Sequence, residues 1–231
     1  MEKIHRLSDF DQPTVANLVN RLLIGKNTPL DKVQGIFYFV RDGIKFGFPP
    51  KWDIVPASDT INYGLGYCNT KATLFVALCR AAGIPARVHF GLIDIRIMHG
   101  IMPAFVFPLM PKVGGHSWVE VQVDGEWKPI DAYINDKQLY DQSVKRLKDS
   151  GRTIGYSVSY KDGKSSCDFN FGEKGFVHMG AVREDHGVWE DAAEYFASDK
   201  YMQFSPFQKM ALPLVLWLSN RNVSKIRQTP A

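Results

Sequence analysis

A mixed helix-and-strand domain is predicted by three observations. The apolar stretch after "GLGYC" reads as a buried helix, amphipathic helices precede it, and a β-hairpin with a two-residue turn follows it. At 231 residues the chain suits one domain and can bury a substantial core. An apolar share of 45% and an aromatic share of 13%, with little low-complexity sequence, argue against disorder.

Residues 14–25 (TVANLVNRLLIG) are expected to form a helix ending at Gly25. A second starts after Thr28, whose hydroxyl suits an N-cap, with Pro29 at the first helical position and Asp31 in the first turn. Val33, Ile36, Phe37 and Val40 recur at helical spacing and mark its buried face. The proline-rich stretch 45–60 is expected to be extended and loop-like. Residues 69–82 are apolar nearly all round, with Lys71 and Arg80 as their only charges, the pattern of a buried helix. Gly83 suits a left-handed cap and Pro85 blocks continuation. Residues 86–95 read as a strand, 96–115 as an irregular apolar excursion, and 116–134 as a hairpin turning at Asp124-Gly125. In 135–152 charges of both signs alternate, as on a solvated helix. "GVWEDAAEYFAS" (187–198) is expected to be an acidic amphipathic helix. "MALPLVLWL" (210–218), interrupted by Pro213 and too short to span a membrane, is assigned to core packing. With no linker evident, one domain is expected over 1–231, with a C-terminal elaboration from about residue 150.

Net charge is only +4 and no basic face is evident, so neither a nucleic-acid nor a membrane-surface partner is expected. The first residues lack an apolar signal region. Cys68, Cys79 and Cys167 make no disulfide framework and no CxxC, which fits a reducing, cytoplasmic location. His89, His99, His178 and His186 are scattered, so no metal site is expected.

The cysteine at the head of the buried helix is the candidate for chemistry. Gly64 and Gly66 allow a tight turn and close backbone approach. A helix N-terminus offers unpaired N–H groups and partial positive charge, which favour a thiolate at Cys68 and let its N–H hold an oxyanion. The alternative is a small buried hydrophobe, the reading given to mid-helix Cys79. Cys167, in a polar loop, could be exposed and is given no role. A nucleophilic thiol needs a histidine in reach and a group to hold it. A two-residue turn pairs Val123 with Glu126, which sets Trp118 opposite Asp131 and His116 opposite Tyr133. His116 and Asp131 then share a face as diagonal neighbours, roughly 7–8 Å apart at the backbone; a three-residue loop would separate them. Val119, Val121 and Val123 point to the core, leaving His116, Trp118, Glu120 and Gln122 to line a cleft.

"GLGYCNTKATLFVALCRAAGIPARV", "HSWVEVQVDGEW" and "PIDAYI" together resemble the transglutaminase-like superfamily of thiol enzymes. The order is cysteine, histidine, aspartate, with separations of 48 and 15 residues, and the resemblance covers roughly residues 37–134. It implies a papain-like α+β fold, its core at about 28–150, in which the cysteine helix packs on an antiparallel sheet. It also implies that Cys68 is the nucleophile, His116 the general base and acid, and Asp131 the residue that orients the histidine. Such enzymes cleave or transfer acyl groups at amides through a thioester; some are peptidases, some deglycosylate, some cross-link glutamine to amines, and some build amide bonds.

The expected substrate is therefore a peptide, a protein or a small amide, with no cofactor. Animal transglutaminases use calcium, and no acidic loop suited to it is present. The oxyanion candidates are Cys68 itself, Asn62 at the papain-type amide offset, and Trp52 near the upstream aromatic position of transglutaminases. Gly66, Tyr67 and Trp118 are cleft candidates, and residues 102–110 are a possible cleft wall or core. Two alternatives remain: a non-catalytic peptide- or protein-binding module on the same fold, and an arylamine acetyltransferase-type enzyme using an acyl-CoA donor.

Overall fold

In the computed structural model, which describes residues 6–160, 164–171 and 177–228, the first element is α1 (Pro13–Leu22). Pro13 stands in its first turn, where a missing N–H costs nothing, and Val15, Leu18 and Val19 form the buried face. α2 (Pro29–Tyr38) begins at a capping box: Thr28 Oγ1 accepts from the Asp31 N–H at 3.1 Å, and Asp31 accepts from the Thr28 N–H at 3.3 Å. Val33, Ile36 and Phe37 are buried, as is Val40 in the wider turn that follows.

The two-residue strand β1 (Lys45–Phe46) pairs in parallel with β2 (Leu65–Gly66). Between them lies α3 (Ala57–Tyr63), a helix inside the stretch expected to be extended. Its prolines precede it; Pro56 stands at the N-cap, where proline does not oppose a helix. α4 (Cys68–Ala81) follows, and every residue from Cys68 to Cys79 is buried. That includes Lys71, whose ammonium donates to the carbonyls of Arg41 (3.2 Å), Tyr133 (3.0 Å) and Ile134 (2.8 Å). Gly83, at φ +76°, ends the run, and the Ile84 N–H returns to the Cys79 carbonyl at 2.8 Å.

β3 (Ala86–Asp94), β4 (Val113–Val123) and β5 (Glu126–Ile130) come next, then α5 (Lys137–Asp149) and the short pair β6 (Ile154–Gly155) and β7 (Val158–Ser159). β8 (Val182–Trp189), α6 (Ala192–Phe196) and α7 (Pro206–Gln228) complete the described chain. The main sheet is antiparallel, in the order β5-β4-β3-β8. Asp124 (φ 53°) and Gly125 (φ 81°) form the two-residue turn, and Val123 pairs with Glu126 in the register computed from the sequence. β3 bulges against β8 at Gly91, where a Cβ would lie 2.4 Å from the Glu184 carbonyl oxygen. α4 packs against β3 and β4, and Val88, Phe90, Val119 and Val121 join its apolar residues in one core.

Three further expectations need correction. Cys167 is buried, with its carbonyl accepting from Arg41 Nη1 at 2.8 Å. Residues 187–189 end β8, and only after Asp191 caps the Ala193 N–H does α6 begin. The 210–218 run belongs to α7 and is not core as a whole. Leu216, Ser219, Val223 and Ile226 face inward, and helical periodicity turns Met210, Leu214 and Trp217 outward, 58–74% exposed. Among the described residues no helix is long and apolar enough to cross a membrane.

Candidate active site

Cys68 is the first residue of α4. A Cβ on Gly66 would sit 2.7 Å from Thr70 Oγ1 and 3.1 Å from Lys71 Cγ, so only glycine lets the chain press this closely on the helix's first turn. Backbone N–H groups of Ser117 on β4, of Asn69 and of Cys68 itself favour the thiolate electrostatically. The Cys68 S–H donates to Asn69 Oδ1 at 3.5 Å. Ser117 follows His116 on β4, which packs against α4.

His116 is 1% exposed, and its Nε2 has no partner among the described residues. Burial, then the neighbouring His178, hold its imidazole well below the usual histidine range; the two ring centroids are 5.2 Å apart. Asp131 is fully buried, and its carboxylate accepts from the N–H groups of Val177 (3.0 Å), His178 (2.8 Å) and Met179 (3.0 Å). Burial pushes its carboxyl up to about 7 in spite of those donors. His178 Nε2 lies 2.8 Å from the Ser157 carbonyl, and Ser157 Oγ donates to Asn135 Oδ1 at 2.8 Å. The Asp131 carboxylate thus holds residues 177–179, which seat a second imidazole beside His116. Among the described residues no hydrogen bond joins His116 to Asp131 directly.

The ionisation differs from the expected thiolate. Burial, then the charge of Asp53, push the Cys68 thiol up to about 12, against the three N–H groups that favour the anion. Exclusion of water outweighs the helix terminus, and the covered site holds a neutral thiol beside a neutral imidazole.

Of the oxyanion candidates, Cys68 is the first residue of α4, so its N–H is one of those at the helix N-terminus. Asn62 is exposed on α3, and the amide that meets the sulfur is Asn69. The papain-type offset fails because a helix, α3, occupies the residues before the Gly64 turn. Trp52, half-buried at φ 56°, packs against Tyr67 (ring centroids 4.9 Å) and Phe48 (5.6 Å). Among the cleft candidates, Gly66, Tyr67 and Trp118 are all buried. Trp118 lies flat on His89 at 4.1 Å, so the outer face of β4 is covered here rather than open. Met102, Phe105 and Phe107 line a different cavity of about 600 Å³, with His99, Tyr156 and Leu218, to which Cys68, His116 and Asp131 do not contribute.

Asp53, Asn69, Lys71, His178 and Tyr201 were not singled out as site residues by the sequence. Lys71 alone left a trace, as a lone charge in an apolar helix one turn after the cysteine. Among the described residues no group of three or more His, Cys, Asp or Glu side chains is placed to hold a metal ion.

A cysteine heading a buried helix that packs on an antiparallel sheet, with a histidine on the adjoining strand, is the core of a transglutaminase-like fold. The transglutaminase-like superfamily profile matches residues 16–132, and the chain belongs to that superfamily. A provisionally assigned cysteine protease from Cytophaga hutchinsonii shares the fold, with a TM-score of 0.50 and 18% identity over 82% of this chain and 45% of that one. A provisionally assigned protease from Parabacteroides distasonis gives a TM-score of 0.37 and 15% identity over 55% of this chain and 26% of its own. The chain spans less than half the length of either. No curated protein matches it.

Proposed function

We propose that the protein is a thiol-dependent acyl-transfer enzyme acting at amide bonds, with Cys68 as nucleophile, His116 as base and acid, and Asp131 as their support. The observation that carries this reading is a cysteine at the N-terminus of the buried helix α4, which packs on β4, the strand that bears a buried His116 whose Nε2 has no partner among the described residues. A buried unpartnered polar atom is uncommon, and a substrate or its leaving group would satisfy this one.

His116 takes the thiol proton and the sulfur attacks the amide carbonyl carbon. The N–H groups at the head of α4 hold the resulting oxyanion. His116 then delivers its proton to the leaving amine, and the C–N bond breaks to leave a thioester on Cys68. Water or a second amine, deprotonated by His116, attacks the thioester and restores the thiol. Entry of substrate and water removes the burial that keeps thiol and imidazole neutral, so the ion pair forms on opening. In the covered form Asp131 acts through residues 177–179, which set His178 against His116.

A fluorogenic casein assay, run with and without an added primary amine, tests this. Turnover is expected for the wild type and is lost in Cys68→Ser and His116→Ala. Wild-type turnover no greater than that of Cys68→Ser overturns the reading. It would leave the peptide-binding module, the second reading, which the high pKa of the covered thiol favours.

A further inference from the structure

Asp53 is a buried carboxylate with no ion pair among the described residues. Its Oδ1 accepts from the Tyr67 hydroxyl and from Asn69 Nδ2 (2.7 Å), and its Oδ2 from the Tyr201 hydroxyl (2.7 Å). Tyr67 and Asn69 are the residues on either side of Cys68. Because Asn69 Nδ2 is held by the carboxylate, the amide's Oδ1 is the atom turned toward the sulfur. Tyr201 comes from beyond α6, and nearby Phe204 lies edge-on to Trp52 at 5.5 Å, whose ring packs on Tyr67. One carboxylate therefore joins the residues on either side of Cys68 to the segment beyond α6.

We propose that Asp53 is a positioning residue for Cys68: it aims the Asn69 carbonyl oxygen at the thiol, keeps the sulfur protonated while the site is covered, and is fastened to the segment beyond α6 through Tyr201. This rests on Cys68 being the nucleophile. An amide oxygen accepts an S–H and disfavours a thiolate, and a nearby carboxylate adds its own negative charge. Tyr67 and Tyr201 bond to Asp53, Tyr195 and Cys68 lie within its field, and burial raises the Asp53 carboxyl itself while the bonds from Tyr67, Asn69 and Tyr201 oppose that rise. Tyr133 and the Ser117 backbone of β4 also act on Cys68 electrostatically. None of them supplies a cation in the covered form. Lifting the Tyr201 segment takes a donor from Asp53 and admits water to the head of α4.

The test is the rate of iodoacetamide alkylation of Cys68 between about pH 5 and 10, read at each cysteine of the intact protein by mass spectrometry. In Asp53→Asn the apparent pKa of Cys68 is expected to fall, raising alkylation at neutral pH about tenfold or more, one pKa unit being tenfold in thiolate. Cys79 should stay protected. In Tyr201→Phe, Cys68 alkylation should rise across the pH range, again with Cys79 protected. An unchanged or slower Cys68 profile in Asp53→Asn overturns the proposal, as does Cys79 labelling in parallel, which would mark general loosening. If Asp53→Asn does not fold, Tyr201→Phe decides alone: faster Cys68 alkylation with Cys79 protected sustains the proposal, and an unchanged rate overturns it. Alkylation needs no substrate, so failure here is distinct from failure of the nucleophile reading, which the casein turnover of Cys68→Ser reports.

Discussion

Cys68 and Cys79 lie on one helix, about three turns apart, and both are buried, at 7% and 0% exposure. Burial pushes both thiols up. What separates them is the company each keeps. Cys79 sits mid-helix in the apolar core. Cys68 is acted on by three N–H groups, the Asn69 amide and the field of Asp53. Burial alone thus makes a thiol silent, and polar groups acting on it make a candidate site.

The largest break in that comparison is Cys68→Ser. It should lower amide turnover by about 10³-fold or more while leaving stability nearly unchanged; Cys79→Ala should keep turnover in the same assay. Next is Lys71→Met, one turn beyond Cys68. It strands three carbonyls in the interior and should cost about 3 kcal/mol or more in urea denaturation. Its pH dependence has a definite sign. Burial brings the Lys71 ammonium down to about 7 from its ordinary 10.5, so above pH 7 the unfolded chain binds a proton that the folded one has released. Lys71 therefore makes stability rise with pH from 7 upward, by at most about 1.4 kcal/mol per pH unit. The raised thiols act in the opposite sense only near and above 9. Urea midpoints at pH 7, 8 and 9 should rise for the wild type relative to Lys71→Met, and parallel profiles would refute the assignment.

A smaller effect is expected of Cys79→Ser, which places a hydroxyl among apolar neighbours. It should lose about 1–3 kcal/mol of stability and leave the Cys68 alkylation profile as it was. The smallest is Thr28→Ala, which removes one half of the α2 capping box. A loss of about 1 kcal/mol in thermal unfolding, with neither thiol changed in reactivity, would show that the two ends of α4 are insensitive to a distant cap.

Local rules made much of the scaffold legible. The Thr28 cap, the apolar α4 with its Gly83 stop, and the Asp124-Gly125 turn depend on residues close in sequence, and each stands where those rules put it. α3 is hidden in the sequence because the prolines before it imitate a loop, and the outward face of α7 because an apolar run by itself does not show which side meets solvent. In the site, the papain-type spacing points to Asn62, but that spacing presumes the same approach to the cysteine, and a helix stands there instead. Asp53 and Tyr201 carry no local signature; 148 residues separate the two ends of their hydrogen bond.

By itself the sequence determined the parts: a thiol at the head of a buried helix, and a hairpin whose two-residue turn pairs Val123 with Glu126. Periodicity, caps and turn chemistry act over a few residues, so they can be read in order along the chain. Only the tertiary structure decided the state of those parts. It turned Asp131 to the backbone of residues 177–179, set His178 beside His116, and joined Asp53, bonded to both neighbours of Cys68, to Tyr201. Ionisation and access depend on which distant segments exclude water and bring charge, and those are properties of the packed molecule.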